Sequence, residues 1–565
     1  MFKLNNADQP LFPADTLGWD SVYAIPFDKL NSAISGQAPA DFDDFQETDE
    51  QGDVFILRNS TYGDWRIDTG GSGQIVCMEI ALDAFEFERQ GSSPVSYSVT
   101  NAVATVMLKL AALPQPSSLQ ASADPDVEVV ELRVAPTNTD PIQSVSVAYD
   151  PDGAETPDVV SQFQINDLLT KVLNRDADDF NLVFATVNLS KKTSEAGGEG
   201  WDWLLPTHTS YAVRDLNATS GVFAVLAMTE NRPASPIHDV SVAAIPEGQV
   251  SGFLVSERLF LQKLVLPNVG LLFQHKNGSM ATVDDFEITS DFKITNKNAV
   301  YIKDLELEDP GKGGDGKKVL ADIGPRQFTV FPSGDELVMR IDQFHYSYAA
   351  GIEVYSDFEN RSTVSLVDGG FAVEERSSSC PRADIEKSDW LTWTEILVPI
   401  GVGIVGAVLG AGVGKVVSGT GQVVAQGANA GVFTGVQGTV VGVTQAGAAQ
   451  AATGQVAATL ALEVAGNTAP ISLIGIVPGF TYRLIAGIAG AVLGAGLGGM
   501  VGILETIAKE PASARPVLDK FLAPALAAVS WPNVDGFVLT SARLNKSFQL
   551  GIDPVLASEA SEEAA

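Results

Sequence analysis

Cysteine is nearly missing from this chain, with only Cys77 and Cys380 in 565 residues. One disulfide is the ceiling, so neither a disulfide framework nor a thiolate-rich metal site fits. Histidine is almost as scarce. His208, His238, His275 and His345 are the four, and none sits in an H-E-x-x-H or closely spaced metal pattern. Positive charge is short as well: 35 basic against 70 acidic residues leave a net charge of −35. Such a surface repels phosphate backbones, which argues against nucleic acid as a partner. It is also repelled by anionic bilayers unless cations or local basic spots intervene. A saline habitat or simple solubility accounts for the acidity equally well. The opening "MFKLNNADQPLFPAD" has no apolar run of signal-peptide length and no basic start. The expectation is a protein made in the cytosol, with later release by a route without a signal peptide left open.

Apolar residues, by contrast, are plentiful. They make up 45% of the chain, enough for two or three packed domains at this length. From Gly18 to about Trp390 the pattern is mostly β. "NAVATVMLKL" puts Ala104, Val106, Leu108 and Leu110 on one face and Thr105 and Lys109 on the other. "DVEVVELRV", "NLVFATVNL", "FTVFP" and "GIEVYSDFENRSTVSL" repeat the alternation, separated by "NRPASP", "DPGKGGDG" and "FPSGDE". Period-two strands with polar outer faces predict antiparallel sheet covered on one side. Helical spacing is found in "PFDKLNSAI" (Phe27, Leu30, Ile34) and in "QINDLLTKVLN" (Ile165, Leu168, Leu169, Val172). These helices need to lie against the apolar face of the sheet.

Residues 391–508 are of a different composition. Among these 118 residues are five charged ones and 25 of the chain's 53 glycines. "GAVLGAG" occurs twice, at Gly406–Gly412 and Gly490–Gly496. Glycine recurs at every fourth residue through Gly406, Gly410 and Gly414, and again through Gly490, Gly494, Gly498 and Gly502. On a helix these form a smooth stripe, the surface that lets two backbones meet. Close packing of that kind offsets the roughly 1 kcal/mol that each interior glycine costs a helix. Ile396–Gly414 and Leu484–Leu504 are also uncharged over bilayer-spanning lengths. No flanking Lys or Arg cluster fixes a topology. Two readings of this helical hairpin stay open, a soluble core filler and a membrane-inserting element, with the segment between them read as low-complexity helix or loop. The domain organisation expected is thus 1–390 β-rich, 391–508 Gly/Ala-rich helical hairpin, and 509–565 a helix and strands returning to the sheet, with a frayed acidic tail.

Chemistry is hard to find. "GKGGDGKK" matches the phosphate-loop pattern from Gly311 to Lys317, yet Lys318 stands where a Mg²⁺-binding Ser or Thr is required. The loop also joins two strand-like runs, whereas a phosphate loop opens a helix. It is read as a hairpin. "TGGSGQ" around Ser72 lacks the spacing of a nucleophile elbow and is read as a turn. His238 and Asp239 are read as a loop contact. The acidic turns "DPDGAE", "DADD" and "DFDDF" lack the spacing of a calcium loop and are read as solvated. No catalytic, metal or cofactor-binding residue is predicted, and the chain is not expected to be an enzyme.

The stretch "GWDSVYAIPFDKLNSAI" resembles the opening of the forty-seven-kilodalton accessory protein family found beside clostridial neurotoxin genes. "DWRIDTGGSGQIVCMEIAL", "FNLVFATVNL", "WDWLLPTHTSYAV", "GVFAVLAMT" and "GFLVSERLFLQKLVLP" follow in the family's order, and "FVLTSARLNKSFQLGI" is similar to its last strands. The resemblance implies the TULIP-like (tubular lipid-binding) superfamily. That means an elongated α+β fold, with strongly curved antiparallel sheets wrapped around helices and an apolar groove for lipid tails. It further implies an accessory role near toxin or secretion genes without known catalysis. The glycine-rich region is larger than the family leads one to expect.

Trp19, Val22, Tyr23, Ile25, Phe27, Leu30 and Ile34 are then candidates for the wall of such a groove, against the plainer reading of ordinary core. Three functions follow as expectations. The first is binding of a lipid or similar apolar ligand. The second is a partner surface for proteins of the same gene cluster, with the tube filled by side chains. The third is membrane contact through the glycine-striped hairpin.

Overall fold

Strand β1, Ser21–Pro26, runs straight into helix α1, Phe27–Ile34. The change comes at Pro26, whose extended backbone (φ −71°, ψ 154°) ends the strand and occupies the N-cap of the helix. Phe27, Leu30, Ala33 and Ile34 make one buried stripe, as their spacing predicts. The computed structural model describes residues 12–387 apart from 38–40, 116–125, 137–140, 143, 150–155, 177–181, 191–201, 271–272, 308–316, 350–351, 368–369 and 380–382. It also describes six short strands between 417 and 473, residue 526, and residues 528–556.

The architecture is mostly β with few helices, and its largest sheet curls into a half-barrel. That sheet has twelve strands. Its order is 534–545, 547–556, 251–255, β1, 220–228, 208–217, 54–73, 75–90, 95–108 and 144–148, with 41–42 and 45–48 attached to 54–73. Neighbours such as β1 and 220–228 (Tyr23 opposite Val225) or 251–255 and 547–556 (Phe253 opposite Leu550) pair antiparallel. The hairpin between Val54–Gly73 and Ile75–Gln90 slips register at four places, and such bulges add the twist that curls a sheet. The alternation read in "NAVATVMLKL" holds, since Ala104, Val106, Leu108 and Leu110 are all buried.

Helix α1 lies inside the curl and helix α2, Val159–Asp176, packs beside the strand Ser144–Ala148. A four-stranded sheet (529–530, 183–190, 127–134, 110–114) contributes to the same core. A further sheet of eleven strands covers 273–387 together with the strand Ser472–Leu473. Phe273, Phe286 and Phe328 meet at its centre, with ring centroids 4.8–6.0 Å apart.

One expectation needs correction. The central strands of the half-barrel are covered on both faces, not one. Along Ser220–Met228 every residue from Gly221 onward is buried. The outer face, carrying Val22, Ala24, Ala212, Ala224 and Leu226, packs against Ala14, Val240 and Ala244. Residues 12–20 and the irregular stretch 230–250 therefore act as a cover. The unbroken apolar run "GVFAVLAM" was the sequence signal for this, because a strand buried on both faces loses its alternation.

The glycines Gly406, Gly410, Gly414, Gly490, Gly494, Gly498 and Gly502 lie outside the described residues, as does most of the proposed C-terminal helix. Between them, Val417–Gly419, Gln422–Val424 and Val432–Thr434 form a small antiparallel sheet where helix or loop was expected. The strands Val534–Asn545 and Ser547–Leu556 do return to the half-barrel, at its edge beside Ser251–Val255.

Candidate functional site

The seven candidate groove residues are all buried, none more than 5% exposed. They do not share one surface. Tyr23, Ile25, Phe27, Leu30 and Ile34 belong to the inner core of the half-barrel, whereas Trp19 and Val22 belong to the outer one. The cause is the two-residue repeat of a strand, which sends Val22 and Ala24 to one face and Tyr23 and Ile25 to the other. A single apolar ligand inside the curl therefore cannot touch all seven, and Trp19 and Val22 leave the groove set.

On the inner side, aromatic rings gather around the base of β1. Tyr23 stacks on Phe253 at 4.5 Å. Phe223 has Tyr211 at 6.0 Å, Phe184 at 6.2 Å and Trp531 at 5.9 Å. Buried phenol oxygens need partners, and Tyr211 has two: its hydroxyl donates to the Gln74 carbonyl (2.6 Å) and accepts from the Leu110 amide (2.7 Å). Phe27 presses so closely on Gly221 that a Cβ there would lie 2.2 Å from its ring, which explains the glycine in that strand.

Polar side chains hold α1 in place. Asn31 pairs with both backbone groups of Ile67, donating from Nδ2 to the carbonyl (2.9 Å) and accepting the amide at Oδ1 (2.7 Å). It thus satisfies backbone groups of Val54–Gly73, a strand of the curl itself. At the other end of the helix Asn533 donates to the Ala33 carbonyl (2.8 Å), and in the turn just beyond it Gln37 accepts from the Val183 amide (3.2 Å). Three separated parts of the chain therefore grip one short helix and the turn after it.

On the outer side, Trp19 donates its indole N–H to the Ile237 carbonyl (2.7 Å) and lies between His208 and His238, at 6.3 and 5.7 Å. Beside it Asp20 is buried. Its carboxylate accepts from the Thr229 amide (3.0 Å) and hydroxyl (3.1 Å) and pairs with Arg232. Burial nevertheless holds the Asp20 carboxyl above the usual range, outweighing Thr229 and Arg232. Nothing in the sequence pattern flagged Asp20, Asn31 or Trp531, because their partners are remote in the chain.

The motifs singled out in the sequence take the following places. Asp239 pairs with Arg214 (3.0 Å) and His238 packs on Trp19, so the two form no dyad. The strands Val300–Leu307 and Lys317–Ile323 on either side of the phosphate-loop look-alike pair antiparallel, with Leu307 opposite Lys317, and residues 308–316 between them lie outside the described residues. The turn around Ser72 likewise closes a hairpin, with Ser72 opposite Ile75. Asp44 accepts from the Asn59 amide (3.2 Å), a turn contact. The turn 150–155 lies outside the described residues. Among the described residues no group of three or more His, Cys, Asp or Glu could hold a metal ion. No described helix is long and apolar enough to cross a membrane. The Cys77 thiol is buried and pushed up to about 11 by that burial, with Asp68, Glu79 and Asp215 adding to it.

Comparison with known proteins bears on the family. The chain is 28% identical over 293 residues to Protein OrfX3 of Paraclostridium bifermentans, covering 48% of this chain and 57% of that one. It is 28% identical over 353 residues to Protein OrfX3 of Clostridium botulinum (strain Kyoto / Type A2), covering 57% and 65%. The matched part thus spans less than two thirds of either relative. The crystal structure of P47 of Clostridium botulinum E1 aligns over 69% of this chain and 86% of that one, with a TM-score of 0.47 and 18% identity. The family model described as OrfX-like, Protein OrfX2/OrfX3/P47, matches residues 16–474. With most of its length matched and the quoted blocks in order, the chain belongs to the OrfX-like family of OrfX2, OrfX3 and P47 proteins.

Proposed function

We propose that the protein is a non-enzymatic accessory factor of a toxin gene cluster that holds a lipid or similarly apolar ligand within its curled sheet. The observation that carries this reading is the inner face of the half-barrel. Its long strands turn Leu57, Ile67, Met78, Ile80, Phe85 and Val106 toward the helices, and all six are buried and apolar. A concave apolar wall with an internal helix is suited to acyl chains and offers no purchase to a polar substrate. The elongated tubular lipid-binding architecture, and a Gly/Ala-rich helical hairpin within 391–508, are parts of the same proposal.

The test is native mass spectrometry of the full chain purified without detergent, followed by identification of whatever is extracted. A lipid-sized mass that dissociates on extraction is the expected result. A ligand-free protein that also fails to take up added phospholipid or fatty acid overturns the reading.

A second reading is favoured by one specific observation. The five inner-facing candidates, Tyr23, Ile25, Phe27, Leu30 and Ile34, are covered by the protein's own side chains. On that reading the curl is a filled, rigid scaffold and the function lies in binding proteins of the same cluster. A stable complex with such a partner, formed by ligand-free protein, would select it.

A further inference from the structure

Helix α2 buries Ile165, Leu168, Leu169, Val172 and Leu173, yet its first turn does the opposite. Val159 is 66% exposed, Val160 57% and Phe163 72%. These three lie at positions i, i+1 and i+4, so they form one contiguous apolar tip. Scattered exposed apolar residues need no explanation, but a cluster on one turn of a helix does.

The tip is also firmly built. Asp158 accepts at Oδ1 from the amides of Val160 (2.9 Å) and Ser161 (3.0 Å), and its carbonyl accepts from Gln162 (2.8 Å). Its Oδ2 takes the Ser161 hydroxyl (2.9 Å) and the Tyr97 hydroxyl (2.8 Å). Arg89 donates to Gln164 (3.3 Å), so strands 75–90 and 95–108 brace the turn from the side. Two of the amides that a helix start normally leaves to water, those of Val160 and Ser161, are therefore taken up by the Asp158 side chain. From Val159 to Asn166 no side chain is charged.

We propose that this turn is a membrane-contacting tip, with Val159, Val160 and Phe163 entering the interfacial layer of a zwitterionic phospholipid bilayer.

The alternatives fit less well. Three side chains expose on the order of 300 Å², well short of the ~800 Å² per partner that a stable protein interface buries. A second copy of a chain carrying −35 would also be repelled. A bilayer has no such area threshold. It takes in small apolar protrusions, and its apolar side penalises unsatisfied amides, two of which this turn pairs with Asp158. The net charge selects a neutral headgroup over an anionic one. The inference goes beyond ligand binding and stands whether or not the curl carries a lipid.

The test uses the full chain with phosphatidylcholine vesicles. Wild-type protein should co-sediment at high lipid, and the double variant Val160→Ser/Phe163→Ser should lose about tenfold or more of that partitioning. In parallel, Phe163→Trp should show a blue-shifted emission with vesicles, quenched by brominated acyl chains. Should the double variant fold poorly by circular dichroism, the Phe163→Trp quenching decides. Absence of wild-type partitioning, partitioning unchanged in a folded double variant, or an unquenched signal from the Phe163→Trp variant overturns the proposal. So does self-association in sedimentation equilibrium that the double variant abolishes without any vesicle binding, which would assign the tip to a second copy. Failure here leaves the mass-spectrometric test of ligand binding untouched, so the two readings fail separately.

Discussion

Replacing Glu257 by Gln should stabilise the protein above neutral pH and leave its stability unchanged in acid. Glu257 begins the helical segment that follows strand Ser251–Val255, directly after the Ser256 cap. Burial pushes its carboxyl up to about 7, with Asp15 adding and Lys546 opposing. Because the folded-state value is raised, the folded protein holds this proton more tightly than the unfolded chain does. Below the unfolded value of 4.5 the site contributes its full stability. That contribution is lost as pH rises from there through about 7. Each pKa unit is worth about 1.4 kcal/mol, so the undiscounted penalty at pH 8 is about 3 kcal/mol. The side chain is half-buried and solvent screens it, which reduces the penalty to about 2 kcal/mol. A negative charge at a helix start gains about 0.5 kcal/mol, which glutamine forfeits. The net expectation is a gain of roughly 1–1.5 kcal/mol at pH 8 and none near pH 4. Urea denaturation of both proteins at the two pH values measures it. A variant no more stable than wild type at pH 8, or equally stabilised at pH 4, would refute the reasoning.

Two further outcomes test the two-sided cover of the central sheet. Gly252→Ala places a Cβ 2.2 Å from the Ala244 carbonyl oxygen, in the backbone of the cover itself. It should cost about 3 kcal/mol by thermal or urea melting, whereas Gly536→Ala, with nothing within 4 Å, should be tolerated. Asp20→Ala strands the Thr229 donors and Arg232 and should cost about 2–3 kcal/mol. Asp20→Asn keeps a carbonyl for Thr229 and sheds the buried charge, so it should cost under about 1 kcal/mol by the same assay. Equal losses for the two variants would mean that the ion pair, and not the Thr229 hydrogen bonds, holds the cover.

What can be read from the sequence is whatever repeats at short range. The stripe Phe27, Leu30, Ile34 and the alternation Ala104, Val106, Leu108 each report a face buried by a neighbouring element, and each lies where its spacing demands. Faces are local properties; what covers a face is not. Trp19 and Val22 look like part of the same wall as Tyr23 because the short pattern "WDSVY" reveals only apolar content. The two-residue repeat of β1 already sends Val22 and Tyr23 to opposite faces, and the arrival of residues 230–250 is what turns the outer face into a second core. The same holds for the polar side chains that fix the arrangement. Asn31 meets Ile67 across 36 residues, Asp20 meets Arg232 across 212, and Asn533 meets Ala33 across 500. Each is an uncommitted polar residue until its partner is in place. The long-range bonds converge on β1 and α1, the stretch whose run of Trp, Val, Tyr and Ile carries the start of the family resemblance. That stretch is therefore best understood as the point where the molecule is tied together: a strand sealed on both faces, feeding a helix and turn gripped from three directions. A ligand inside the curl would have to be accommodated around this knot, since displacing α1 and the turn that follows it would strip partners from Ile67, Asn533 and Val183 at once.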